Sequence, residues 1–360
     1  MTFTNKDISW IRSNMADSEQ TKTVNDAVLS FMQERKLFKL IVPETLGGAM
    51  RSLPEAIRTF QIASSINGSF GWLVTIGSGG GMFAPNFTEE AAKTYYTPKE
   101  AVIAGSGFPA GTAQKVDDGY IVNGEWLYCS GAQYASIFTA TCKVEPSQAQ
   151  PTFLSFIFER EQVDVIEDWN AIGLKATSSH TIRVKDQFVP EERTFSIFKK
   201  QFDVGDKIYD FPFLMFSEAS FTSIVLGIGK HFFQEVDNIL QEKTSSWNTE
   251  RLAFVEDLKK RESQQFFEAE SLFYQQLNDA WNKHTRGEPL SAKEQQSFSL
   301  CSKKVVTTIL ASANTFFRVI GMQAVKEDTT INQIWRDLHT AAQHAFLTPQ
   351  TEDELKLFID

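Results

Sequence analysis

The sequence predicts an α+β protein in which a small β unit is set between two helical ones. Three observations carry this. Apolar residues keep a helical rhythm through the first third of the chain, the rhythm changes to period two from about Ala101, and it returns in long helical segments beyond Asp210. At 360 residues the chain exceeds a single typical core of about 100 to 200 residues, so two or three packed units are expected. The predicted parts are an N-terminal helical domain over 1–100, a central β domain over 101–205 and a C-terminal helical bundle over 206–360.

From about Asp17 to Arg35, Val24, Val28, Leu29, Phe31 and Met32 recur at helical spacing behind the candidate caps Asp17 and Ser18. Pro43 and the Gly47–Gly48 pair end regular structure. Ser52 with Glu55 three residues on forms a capping box, with Pro54 in the first turn of a helix running through Ile57, Phe60 and Ala63. The small residues between Asn67 and Gly81 allow close approach of a helix or ligand, and match no phosphate-cradling pattern. Thr112–Val116 and Tyr120–Val122, joined by Asp117, Asp118 and Gly119, read as a hairpin, because Asp-Gly supplies the positive φ of a tight turn. Trp126–Ala140, Thr152–Phe158 and His180–Val189 read as further strands. Long helices follow over Phe216–Leu240, Thr249–Lys283 and Ser291–Ile320, the last closed by Gly321.

The final segment, Gln333 to Ala345, reads as one more helix with Ile334, Leu338, Ala341 and Ala345 on an apolar stripe. Gln333, Asp337, Thr340 and His344 share a polar strip beside it. A histidine there is either a hydrogen-bonded structural residue or a group facing a lined cavity.

A formal net charge of −10 disfavours nucleic acid or an anionic membrane as partner, since both need clustered Lys and Arg. Three cysteines fit neither a disulfide framework nor a zinc site, so no metal is expected. The N-terminus has no apolar leader and no run of about 18 apolar residues is found, which makes cytoplasm the expected location. With 31 Phe, aromatic burial asks for few hydrogen-bond partners and suits a large aromatic ligand.

Three loop motifs join small or hydroxyl residues to an aromatic: Ala104–Ala113, Val122–Gly131 and Asp168–Ser179. Together they could line a planar heterocycle. With Pro43–Gly48, Gly119–Gly124, Trp169–Ser179 and Val189–Glu191, they resemble the acyl-CoA dehydrogenase superfamily from about residue 20 to 350. The Ala104–Ala113 and Trp126–Gly131 segments and the terminal Trp335-Arg336-Asp337-Leu338 with Ala341–His344 resemble, within it, the oxygenase components of two-component flavin-dependent monooxygenases. The resemblance implies a central β-barrel-like domain, a C-terminal four-helix bundle and a homotetramer.

It also implies a chemistry. Many dehydrogenases of this superfamily place a carboxylate base about where this chain has Ala345, and an alanine cannot take a proton. The hydroxylase branch instead puts a histidine, here His344, beside the flavin, to deprotonate a phenol or assist a flavin hydroperoxide with a pKa near the working pH. Ser130 matches the serine that reaches flavin N5. The resemblance puts Trp126, Trp169, Thr177, Ser178 and Ser179 along the cofactor. Arg336 and Asp337 are either cofactor contacts or a helix-anchoring ion pair.

The expected function is hydroxylation of a small, aromatic substrate through a C4a flavin hydroperoxide. Reduced FMN or FAD would come from a separate NAD(P)H-flavin reductase, since no Gly-x-Gly-x-x-Gly follows a strand here. An FAD-dependent acyl-CoA dehydrogenase and a non-catalytic relative of the fold remain the alternatives.

Overall fold

The computed structural model describes residues 3–145, 152–352 and 354. Its first helices are α1 (Asn5–Asn14), α2 (Ser18–Thr21), α3 (Asp26–Glu34), α4 (Leu53–Ile66), α5 (Gly68–Gly79) and α6 (Glu89–Tyr96). The helix expected from Asp17 to Arg35 is broken. Lys22 turns left-handed at φ 57°, and the Asn25 side chain accepts from Val28 N–H to begin a fresh helix. Ser52 and Glu55 form the expected capping box on α4. In α5 the small residues serve packing: a Cβ on Gly71 would lie 2.3 Å from Ser64 Cα, so α5 rests directly on the α4 backbone.

The β unit comprises β1 (Ile103–Val116), β2 (Gly119–Cys129), β3 (Ile137–Glu145), β4 (Phe153–Glu159), β5 (Asp164–Ile166), β6 (His180–Pro190) and β7 (Thr194–Phe195). They form one sheet in the order β5-β6-β2-β1-β3-β4-β7. All neighbours are antiparallel except β1 and β3. The expected hairpin is present, with Val116 opposite Gly119, and the left-handed residue is Asp118 at φ 60°. The strand expected from Trp126 to Ala140 is instead two. β2 and β3 pair with opposite edges of β1, so the chain must turn between them, and it does so through Tyr128 (φ 61°) and Gly131 (φ 82°). The sheet is open rather than barrel-like: among the described residues its edges β5 and β7 do not pair.

Three long helices follow, α7 (Phe213–Lys243), α8 (Thr249–Thr285) and α9 (Ala292–Ile320), then the short α10 (Met322–Val325) and α11 (Thr330–Ala341). Gly321 closes α9 at φ 76°, as expected. The fourth bundle helix is only 12 residues long, packed on α7, α5 and α9. α7 is apolar enough to cross a membrane by length and composition, yet most of it is buried. It is the hub: a Cβ on Gly227 would lie 2.3 Å from the Gln61 carbonyl oxygen, which seats α7 on α4, while its other face meets α9. The two helical parts therefore share one hydrophobic core, containing Phe60, Phe70, Leu226, Phe273 and Phe316 alike. The sheet keeps its own.

Candidate functional site

A cavity of about 190 Å³ opens where α5, the sheet, α7 and the turn after α11 meet. α7 presents Phe213, Phe216, Ser217, Ser220 and Phe221 to it, the i, i+3, i+4, i+7, i+8 face of a helix. Across it stand Thr139 and Thr141 of β3 and Ser155 of β4, neighbours on one face by the alternation of strand side chains.

His344 closes one end, and by a different route from the one the sequence suggests. α11 stops at Ala341, and His344 sits in the turn beyond it, while Ala345 faces solvent instead of continuing the apolar stripe. The imidazole stacks on Phe221 with ring centroids 3.4 Å apart and 18° between planes, and lies 6.0 Å from the Trp72 ring. Its Nδ1 faces the Phe346 N–H at 3.4 Å. Burial among these rings pushes the imidazole down to about 4. The expected titration near the working pH is thereby corrected: His344 is neutral there, a group that accepts a proton rather than one that carries it.

The second predicted catalytic residue, Ser130, lies in the turn after β2 and is 7% exposed. Its Oγ accepts from the Trp72 indole N–H at 2.9 Å and lies 2.8 Å from Ser179 Oγ. Ser179 Oγ is 2.7 Å from Thr177 Oγ1, and the Thr177 hydroxyl donates to the Leu174 carbonyl at 2.8 Å. Leu174 N–H in turn donates to Asp337 Oδ1 at 2.5 Å. A line of hydrogen bonds thus runs from Trp72 through Ser130, Ser179 and Thr177 to the loop held by Asp337.

The other predicted contacts divide. Trp169 is half-buried, its indole N–H donates to the Leu174 carbonyl at 3.0 Å, and the exposed Tyr128 ring meets its edge at 6.4 Å. Thr177 and Ser178 are fully buried, and the Ser178 hydroxyl is taken up by Gln133 and Tyr134. Their side chains therefore shape the loop rather than touch a ligand. Trp126 is corrected outright: it is 1% exposed, packs beneath the sheet against Phe158, and its indole N–H donates to the Thr141 carbonyl at 2.9 Å. The period-two pattern put it inward, and a residue so enclosed is core. Arg336 and Asp337 act as anchors. Arg336 pairs with Glu19 and donates to the Ile172 carbonyl at 2.5 Å, and Asp337 is buried beneath it.

Two residues at the centre of the site were not singled out from the sequence. Trp72 bridges Ser130 and His344 from within the small-residue helix α5, and Phe221 carries the histidine. A lone Trp in a run of Gly and Ser was the available signal for the first; Phe221 has none among 31 phenylalanines.

The chain is similar to known proteins over nearly its whole length. Residues 219–349 match the family model "Acyl-CoA dehydrogenase, C-terminal domain". A pigment production hydroxylase of Rhodococcus sp. is 27% identical over 356 residues, covering 94% of this chain and 89% of its own length. The flavin-dependent monooxygenase oxygenase subunit HsaA of Rhodococcus jostii is 23% identical over 94% of this chain and 92% of its own. Among solved structures, XiaF from Streptomyces sp. in complex with FADH2 and glycerol superposes with a TM-score of 0.86 at 21% identity, over 98% of this chain and 92% of that one. Over its C-terminal third the chain thus matches the acyl-CoA dehydrogenase C-terminal domain, and over nearly its whole length it is similar to oxygenase components of flavin-dependent monooxygenases.

Proposed function

We propose that this protein is the oxygenase component of a two-component flavin-dependent monooxygenase that hydroxylates a small, uncharged aromatic substrate with reduced FMN or FAD. The observation that carries the reading is Trp72, whose indole N–H donates to Ser130 and whose ring lies 6.0 Å from that of His344, so that one indole links the two predicted catalytic groups, of which His344 lines the apolar cavity. No Asp or Glu lines that cavity, which leaves the proton abstraction of a dehydrogenase without its carboxylate base.

The residues present suit a flavin. Ser130 has two acceptor positions and Trp72 fills one, leaving the other for a ring N–H. Trp169 and Tyr128 offer an aromatic ledge beside it. Bound there, the flavin supplies activation of dioxygen; the chain's part is to hold it, exclude water and present the substrate.

The cavity also supports a substrate class. Its walls are Phe, Ile, small and hydroxyl side chains, and neither Lys nor Arg lines it. A carboxylate buried there would be desolvated without a partner, which costs several kcal/mol in general. The test is rapid mixing of the protein with reduced FMN or FAD, oxygen and a panel of neutral phenols and indoles beside their carboxylated counterparts. Hydroxylated product with one oxygen atom from dioxygen is expected from neutral members, at least about tenfold above the carboxylated ones. Reoxidation at the free-flavin rate with no product from any member sinks the reading.

The accompanying expectations are also proposals. A separate NAD(P)H-flavin reductase supplies the reduced cofactor. The three buried free cysteines support a cytoplasmic site. Exposed Phe254, Phe267, Leu272 and Leu300 on α8 and α9 support assembly into a homotetramer through the bundle. Sedimentation of the wild type should give four chains and Phe267→Glu fewer. A wild type that sediments as a monomer removes the proposal.

A further inference from the structure

The hydroxyl line behind Ser130 has a direction. The Leu174 oxygen is a carbonyl and can only accept, so at 2.8 Å the Thr177 hydroxyl must give its hydrogen there; two bare oxygens at that distance would repel. With the Thr177 hydrogen committed, the 2.7 Å contact to Ser179 requires Ser179 to donate. With the Ser179 hydrogen committed in turn, the 2.8 Å contact to Ser130 requires Ser130 to donate. Trp72 meanwhile donates into Ser130. The single hydrogen of Ser130 is therefore committed to Ser179, and what the hydroxyl keeps free beside the Trp72 bond is a lone pair.

We infer that Thr177, acting through Ser179, is a positioning residue that fixes Ser130 as a hydrogen-bond acceptor and so makes the site hold reduced flavin in preference to oxidised flavin. The inference rests on the flavin reading above. Reduced flavin carries N–H at the central ring nitrogen and gives Ser130 a donor to accept. Oxidised flavin carries a bare nitrogen in the same place and sets a lone pair against a lone pair. Thr177 itself is fully buried and touches no ligand; its effect on binding passes through two hydroxyls. The anchor of the line is the Leu174 carbonyl, in a residue held left-handed at φ 52° and tied by its N–H to Asp337. The acceptor polarity of Ser130 is thus set by the loop and not by Ser130.

The experiment measures dissociation constants of reduced and oxidised FMN, and of reduced and oxidised FAD, by anaerobic ultrafiltration with the full chain. Wild type should favour the reduced form by about tenfold or more, the size of one hydrogen bond gained against one repulsive contact. Thr177→Val frees the Ser179 hydrogen to run toward Ser130, lets Ser130 donate outward, and should bring the ratio about tenfold closer to one. Thr177→Ser keeps the line and the ratio. A purely structural role would weaken both redox forms together and leave the ratio alone. That outcome, in a Thr177→Val protein with wild-type circular dichroism, overturns the inference. Should Thr177→Val not fold, Ser179→Ala releases the same hydrogen and reads the same ratio. Absence of binding to both redox forms in the wild type removes the flavin reading and this inference with it, whereas binding with an unchanged ratio in the variants removes the inference alone.

Discussion

His344→Ala lowers hydroxylation by about 10²- to 10⁴-fold, the range of a lost general base, while flavin binding persists. His344 is the one acid–base side chain among the residues lining the cavity, and the others are apolar or hydroxyl groups that cannot take a proton at neutral pH. The stack on Phe221 fixes the ring plane, and the fold change is modest because the residue lies in a terminal turn rather than in a helix. A neutral imidazole accepts a phenolic proton and becomes a cation beside the phenolate it has made, so each charge compensates the other in an apolar space. His344→Asn keeps a hydrogen-bond acceptor without useful basicity, and should fall with His344→Ala in turnover while binding substrate better. Unchanged single-turnover rates in both variants would remove His344 from the chemistry.

The same burial gives a pH signature. The imidazole is lowered from 6.5 to about 4 in the folded protein, so between those values the unfolded chain binds more protons. Its contribution to stability is present above pH 6.5 and is lost as the pH falls through about 4. Urea unfolding at pH 7 and pH 5 should show less acid loss in His344→Ala than in wild type.

Much of the architecture was legible because it is written in local signals. The capping box at Ser52 and Glu55, the turn at Asp117–Gly119 and the stop at Gly321 each depend on neighbours a few residues away. Ser130 and His344 were singled out through resemblance, and the structure brings both to one indole. What the sequence hid is contact between distant segments. Trp72 to Ser130 spans 58 positions and Leu174 to Asp337 spans 163, and no periodicity encodes such pairs. Trp126 misled because the resemblance assigned it by its place in the Trp126–Gly131 segment, while strand alternation turns its ring into the core. The helix drawn through His344 overran because Ala342 and Ala345 are good helix formers, while the chain turns after Ala341 to place the imidazole on Phe221.

Asp337→Ala destabilises the fold by about 3 kcal/mol, the cost of leaving a buried amide donor without its acceptor, and loosens the loop that carries the hydroxyl line. Asp337 is 2% exposed and accepts the Leu174 N–H at 2.5 Å, and Gly68 fits against it so closely that a Cβ there would lie 2.7 Å from Oδ2. Burial raises its carboxyl to about 7, with Glu19 pushing the same way and the Leu174 N–H, Arg336 and Lys175 opposing. Because the folded value is raised, this group's contribution is full below pH 3.8 and is lost as the pH rises through about 7. Asp337→Asn keeps a carbonyl oxygen for Leu174 and cannot ionise, so relative to wild type it should gain stability from pH 5 to pH 8, while Asp337→Ala stays destabilised throughout. Between about pH 4 and 6.5 the slopes from Asp337 and His344 have opposite signs. A wild type whose stability is flat with pH is then the sum of two tilts, and each variant exposes the one it leaves. Asp337→Asn should lose stability with acid more steeply than wild type, and His344→Ala less. If both variants track the wild-type curve in parallel, neither group titrates as its burial requires, and the neutral imidazole argued for the site goes with it.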